Sequence, residues 1–163
     1  MKKINQFTKI IILLIFITAC AGYEPIFSSK NMKFHIVEHS IEGDKTLGNK
    51  IFSKLKDISE PNKNDPDAST ISVLIDTTKT KEATSKDIAG KILEYRIALT
   101  LKIQIEDVYN GYKILNKNFT KSSTYKMQSQ YSDTVNIENQ LVENLIDNIY
   151  QELLISISQN IQK

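Results

Sequence analysis

Thiol chemistry is nearly absent from this chain: among 163 residues there is one cysteine, Cys20. A lone thiol cannot close an internal disulfide or build a thiolate metal site, so hydrophobic packing has to hold the body together. There are only two histidines, His35 and His39, so no third imidazole can complete a metal site. No run approaches the roughly 20 apolar residues that a membrane-spanning helix needs. The longest apolar run is Ile10 to Ile17, and the uncharged stretch around it, Ile10 to Tyr23, is short and includes Thr18 and Gly22. Nucleophile–base pairs, glycine-rich phosphate loops and carboxylate pairs set apart from surface charge are all missing, so no catalytic role is expected. Tryptophan is missing too, while Lys, Asn and Ile abound, which reads as genome composition.

What is present is strongest at the start. Lys2, Lys3 and Lys9 precede the eight apolar residues Ile10 to Ile17, and small residues follow, which is the layout of a secretory signal. Ile17-Thr18-Ala19-Cys20 resembles the bacterial lipobox, in which the cysteine receives diacylglycerol, the chain is cut before it, and the new amino terminus is acylated, typically with palmitate. Residues 1–19 are therefore expected to be a lipoprotein signal peptide. Residues 20–31, with Pro25 opposing a helix, are expected to be a lipidated tether. Residues 32–163 are expected to form a single domain. Removing residues 1–19 takes away three Lys and no acid, so the formal charge passes from 21 − 19 = +2 to 18 − 19 = −1. Net charge then gives no support for a nucleic-acid partner.

Within the domain, Met32, Phe34 and Ile36 alternate with Lys33 and His35, the period of a strand. Leu47, Ile51, Leu55 and Ile58 recur at helical spacing from about Thr46 to Ile58, with Asp44 as cap. Ser59 to Ser69 reads as a loop. Ile71, Val73 and Ile75 begin a second strand that runs on through Thr77 and Lys79, and Lys81 to Lys91 reads as a long polar loop. The third strand is the clearest: Leu93, Tyr95, Ile97, Leu99, Leu101, Ile103 and Ile105 face one way, and Glu94, Arg96, Thr100, Lys102, Gln104 and Glu106 the other. Asn110-Gly111 signals a hairpin turn into a strand over Tyr112 to Tyr125, with a slip near Ile114. From about Asp133, Leu141, Leu145, Ile149, Leu153 and Ile157 mark a long amphipathic helix. The expected fold is α+β: a four-stranded, mostly antiparallel sheet with one short and one long helix packed on one face.

His35-Ile36-Val37-Glu38-His39 spells the inverted zinc-peptidase motif. It needs a helix to bring both histidines to one ion, and its flanks read as a strand. Histidines four residues apart on a strand would be about 13 Å apart. A small zinc peptidase on His35, Glu38 and His39 is the minor alternative.

The element order on a lipidated tether resembles the LPS-assembly lipoprotein family (LptE), especially its alphaproteobacterial branch. Gly22-Tyr23-Glu24-Pro25-Ile26-Phe27 matches that branch's segment after the lipid-bearing cysteine, with Ala21 as an extra residue. Asp107 and Gly111, then Tyr125 and Tyr131-Ser132, also look like the family's pattern. The resemblance implies an outer-membrane lipoprotein that plugs and helps assemble the LptD β-barrel and binds lipopolysaccharide on its way to the surface. It implies no cofactor beyond the covalent lipid on Cys20. Because Ala21 is not the inner-membrane-retaining Asp, the expected location is the outer membrane, lipid-anchored on the periplasmic side. The hairpin geometry is expected to gather Lys81, Lys86, Lys91 and Lys126 at one end of the sheet, where cations could meet lipid A phosphates. An auxiliary lipoprotein of a lipid-transport ABC system is the alternative of the same build. If the lipobox reading holds, mass spectrometry of the mature protein will show a chain beginning at acylated Cys20; an intact leader or a free thiol would contradict it.

Overall fold

The computed structural model describes residues 33–59 and 63–161. Six elements follow in order: β1 (Phe34–Gly43), α1 (Lys45–Ser59), β2 (Ser69–Lys86), β3 (Ile92–Asp107), β4 (Lys113–Lys126) and α2 (Tyr131–Ile161). The strands form one sheet in the order β1-β2-β3-β4. β1 and β2 are parallel, because α1 carries the chain back between them, while the β2–β3 and β3–β4 pairs are antiparallel. The fold is therefore the expected α+β arrangement, with a mixed, mostly antiparallel sheet.

Side chains alternate across a pleat, and residues paired in register share a face. Ile97, Leu99, Leu101, Ile103 and Ile105 of β3 are all buried, together with Ile71, Val73 and Ile75 of β2 and Leu115, Phe119 and Tyr125 of β4. Leu47, Ile51 and Leu55 of α1 and Leu145, Ile146, Ile149, Leu153 and Ile157 of α2 complete the same core. Both helices thus lie on one face. α2, with 31 residues, is roughly 46 Å long, and β3, with 16, spans roughly 50 Å, so one helix runs nearly the length of the sheet. The helices are fastened side by side by ion pairs of Lys50 with Glu143 and Lys54 with Asp147, and by the Tyr150 hydroxyl donating to the Lys54 carbonyl at 2.9 Å.

The join between β1 and α1 is specific. Asp44 caps the helix, its Oδ1 accepting from the Leu47 amide at 3.1 Å. The Asp44 amide donates to the Thr77 carbonyl at 2.8 Å, and Thr77 Oγ1 donates back to the Asp44 carbonyl at 2.7 Å. Gly43 has φ +70°, and a Cβ there would sit 2.1 Å from the Thr77 carbonyl oxygen. Only glycine lets helix start and strand approach this closely.

Two expectations need correction. β2 does not end near Lys79: it continues to Lys86, pairing with β3 up to Ile92, and only Asp87 to Lys91 turn. Backbone ladder bonds do not need a buried face, so Thr80 to Ser85 stay extended although solvent surrounds them. Asp87 closes the turn, its Oδ1 accepting from the amides of Ala89 and Lys91, both at 2.9 Å. The β3–β4 turn is not a two-residue Asn-Gly turn. Among the described residues no non-glycine has positive φ, so Asn110 keeps a negative φ and Gly111 alone in this turn, at φ +62°, makes the left-handed step. The turn is Val108 to Tyr112, built on Asp107, whose Oδ1 accepts from the amides of Tyr109 and Asn110 at 2.9 Å. The slip near Ile114 is present: Ile105 faces Leu115 while Glu106 faces Lys113.

The two glycines make a graded test. Gly111 has open space around its Cβ position, so Gly111→Ala should cost about 1–2 kcal/mol, the left-handed penalty alone. Gly43→Ala adds a backbone clash and should lower the urea midpoint clearly further. Equal midpoints would show that the β1–α1 junction yields freely.

Candidate functional site

The side of the sheet away from the helices is the largest functional candidate. It carries the residues that alternate with the buried positions and pair with one another: Asp76 and Thr78 of β2, Thr100, Lys102 and Gln104 of β3, and Asn116, Asn118 and Thr120 of β4. Leu74, 37% exposed, is a large apolar exception. The side chains pair among themselves: Thr100 and Thr120 hydroxyls lie 3.1 Å apart, Lys102 sits 3.4 Å from Asp76, and Gln104 donates to Glu106 at 2.8 Å. A shallow recess of about 210 Å³ lies here, lined by Glu42, Leu74, Asp76, Lys102, Gln104, Asn116 and Asn118 among others. Short hydroxyls, amides and balanced charge make this a wet, hydrogen-bonding wall. The core face, by contrast, is apolar.

The expected lysine cluster is divided. Lys86 ends β2 opposite Ile92, Lys91 closes the turn, and Lys126 ends β4 opposite Glu94, so these three exposed residues share one end of the sheet. Ile88, fully exposed, and Leu93, 43% exposed, stand beside them. Lys81 lies elsewhere. It pairs with Ile97 well inside the ladder, its Nζ bridges to Glu138 of α2 at 2.6 Å, and it covers the Tyr95 ring at 4.5 Å and the Tyr125 ring at 5.6 Å. Tyr125 also donates its hydroxyl to Glu138 at 2.6 Å. Lys81 is therefore engaged in fastening the start of α2 to the sheet. Burial alone would lower its pKa, but hydrogen bonding with Glu138 and Tyr125 outweighs this and raises it above the usual lysine range. Burial would likewise raise the Glu138 pKa, yet the hydrogen bonds from Lys81 and Tyr125 hold it below the usual glutamate range. Burial, then the hydrogen bond to Glu138, raises the Tyr125 phenol.

The histidine motif falls on β1, not on a helix. A bulge between Ile36 and Glu38 shifts the register, so His35 pairs with Thr70 whereas His39 pairs with Val73, on opposite faces of the sheet. His39 stacks on Phe52 of α1 with ring centroids 3.9 Å apart. His35, Glu38 and His39 cannot meet on one ion, and no group of three or more potential ligands is arranged for a metal among the described residues. Cys20 and the lipobox residues Ile17, Thr18 and Ala19 lie outside the described residues.

One feature escaped the sequence reading. Val108 (42% exposed), Tyr109 (82%) and Tyr112 (67%) project from the β3–β4 turn, at the end opposite the lysines. Its signal was there: three large apolar side chains inside a turn, where polar residues usually sit.

Comparison with known proteins supports the fold. No family model matches the chain, and no curated protein does. Among solved structures, a minor lipoprotein from Acinetobacter baumannii is similar at TM-score 0.54 and 22% identity, covering 79% of this chain and 94% of its own. A Caulobacter crescentus CB15 lipoprotein matches at TM-score 0.54 and 10% identity, covering 82% and 92%. The rare lipoprotein B from Shewanella oneidensis matches at TM-score 0.51 and 12% identity, covering 77% and 99%. The chain shares its fold with lipoproteins over nearly their full length.

The Glu138 network gives a pH prediction. A carboxylate whose folded pKa lies below its unfolded value stabilises the fold above the unfolded pKa, and this is lost as pH falls through the folded pKa. Partly exposed, the pair is worth about 0.5–1 kcal/mol. Glu138→Gln should lower the urea midpoint at pH 7 and flatten its decline below the ordinary glutamate pKa of about 4.3. Parallel acid limbs in wild type and variant would contradict the network.

Proposed function

We propose that this protein is an envelope lipoprotein of the LptE type: acylated at Cys20, held on the periplasmic side of the outer membrane, and seated in the lumen of an LptD-type β-barrel that it helps assemble. There it holds lipopolysaccharide during export. The observation that carries the reading is the long one-sided sheet, with helices on one face and a continuous hydroxyl- and amide-rich surface on the other. Lumens of outer-membrane barrels are polar and wet, and the largest are plugged by a folded domain. A sheet roughly 50 Å long and roughly 15–20 Å wide suits such a lumen. Support also comes from the tether motif Gly22-Tyr23-Glu24-Pro25-Ile26-Phe27 and from the fold shared with lipoproteins.

The end bearing Lys86, Lys91 and Lys126 fits lipid A. Its phosphates would meet the ammonium groups, and the exposed Ile88 and Leu93 offer apolar contact to acyl chains. Lys81 serves the fold here.

Capture of the native acylated protein in mild detergent should retain a very large β-barrel protein. Retention of an inner-membrane transport complex instead would favour the ABC-associated reading and overturn this one. Replacing Lys86, Lys91 and Lys126 together by Ala should weaken lipopolysaccharide binding about tenfold or more, each charge-assisted contact to phosphate contributing on the order of 1 kcal/mol. Unchanged affinity removes the lysine end from the binding site.

A further inference from the structure

The end of the sheet opposite the lysines has a chemistry of its own. Five residues join β3 to β4, and their backbone is fixed by its own hydrogen bonds. Besides the bonds to Asp107 Oδ1, the Gly111 amide donates to the Asp107 carbonyl and the Asp107 amide to the Tyr112 carbonyl, both at 2.9 Å. The Val108 amide donates to the Thr70 carbonyl at 3.0 Å, which ties the turn to the start of β2. This frame holds Tyr109 and Tyr112 outward, 82% and 67% exposed, beside Val108.

The chain enters the domain at this same end. The Ser69 amide donates to the Lys33 carbonyl at 3.0 Å, and Thr70, the next residue, holds Val108. Lys33 and the tyrosine turn are thus joined to neighbouring residues of β2. From Cys20 to Lys33 the sequence provides about 13 residues, which reach about 45 Å at most when fully extended. A lipid on Cys20 would tether the domain at this end of the sheet, whereas the lysine end lies roughly 50 Å farther along β3.

We propose that the turn Val108 to Tyr112 is an interfacial foot: Tyr109 and Tyr112 rest among the headgroups of the leaflet that holds the lipid on Cys20. The proposal rests on the anchoring part of the reading above. Tyrosine suits this depth because its ring is apolar and its hydroxyl stays hydrated, which is why tyrosines concentrate at membrane–water interfaces. The turn is already ordered, so contact costs little conformational entropy. Charge does not drive it. Lys33 pairs with Asp65 at 3.1 Å, Lys113 lies 4.0 Å from Glu106, the Asp107 carboxylate is used within the turn, and the exposed Lys63 shares its loop with Asp65 and Asp67, so the described residues at this end form no basic patch to recruit anionic lipid. Binding should therefore persist on zwitterionic membranes and at raised salt.

The chain has no tryptophan, so single substitutions give unambiguous reporters. Full-length acylated protein carrying Tyr109→Trp or Tyr112→Trp is floated on phosphatidylcholine vesicles whose acyl chains are brominated close to the headgroup. Tyr131→Trp, at a 79% exposed site starting α2 near the lysine end, is the control. Trp at 109 or 112 should be quenched several-fold more by brominated lipid than Trp at 131, and protected from aqueous acrylamide, with no change on adding salt. If the protein floats but acrylamide quenches all three alike, the foot is wrong and the anchor stands. Shielding at 109 and 112 that needs an added β-barrel and shows no lipid quenching would assign the turn to a protein contact and overturn the proposal. If the protein does not float, the anchoring reading fails and the foot fails with it.

Discussion

The structure depends on one constraint, that the large apolar side chains of β3 from Ile97 to Ile105 point the same way. Ile97, Leu99, Leu101, Ile103 and Ile105 are buried in unbroken alternation at the centre of the sheet. A central strand patterned this way can be covered on one side only, because its other face presents Arg96, Thr100, Lys102 and Gln104. At about 25 cal/mol per Å² of apolar surface removed from water, those five side chains outweigh any single surface ion pair in the molecule. α1 and α2 must therefore share the same face, and the opposite wall remains free for another surface.

That wall gives the molecule chemical polarity from side to side, and the two turns give it polarity from end to end. Lys86, Lys91 and Lys126 share one end of the sheet with an exposed isoleucine, Ile88. At the other, a hydrogen-bonded turn holds out two tyrosines next to the point where the chain enters. The roughly 50 Å between them is comparable to a bilayer with its headgroups, about 40–45 Å. In the proposed setting one end would lie near the anchoring leaflet and the other near the opposite surface, where the cations would be needed. Lys81 shows why sequence position alone misleads about such clusters: on the helix face, beside Tyr95, Tyr125 and Glu138, the same ammonium group becomes part of the fold's fastening.

The core was legible in the sequence because it is written in period. Two-residue alternation in β3 and the 3.6-residue stripe of α2 are long, so local exceptions did not obscure them. Asp44 was recognisable as a cap, and the slip at Ile114 as a break of phase. What was hidden lies where burial has no part. The outer half of β2, from Thr80 to Lys86, buries no apolar side chain: it is held by backbone pairing and by polar contacts such as Lys81 with Glu138, so its composition carries no trace of the strand. The bulge at Val37, which turns His35 and His39 to opposite faces, depends on the β2 register and is invisible along β1. The Asp107 turn was hidden behind Asn110-Gly111, a pair that promises a tighter hairpin than the one formed.

The central claim is that the helix-free face of the sheet is the surface against which a barrel wall sits. Its most direct test is site-specific photocrosslinking in intact cells, with the crosslinker at Thr100 in the middle of that face and at the exposed Asn144 of α2 as comparison. The account predicts that position 100 captures one large outer-membrane β-barrel. A folded, membrane-bound protein whose position 100 captures nothing, or captures an inner-membrane transporter, would contradict it.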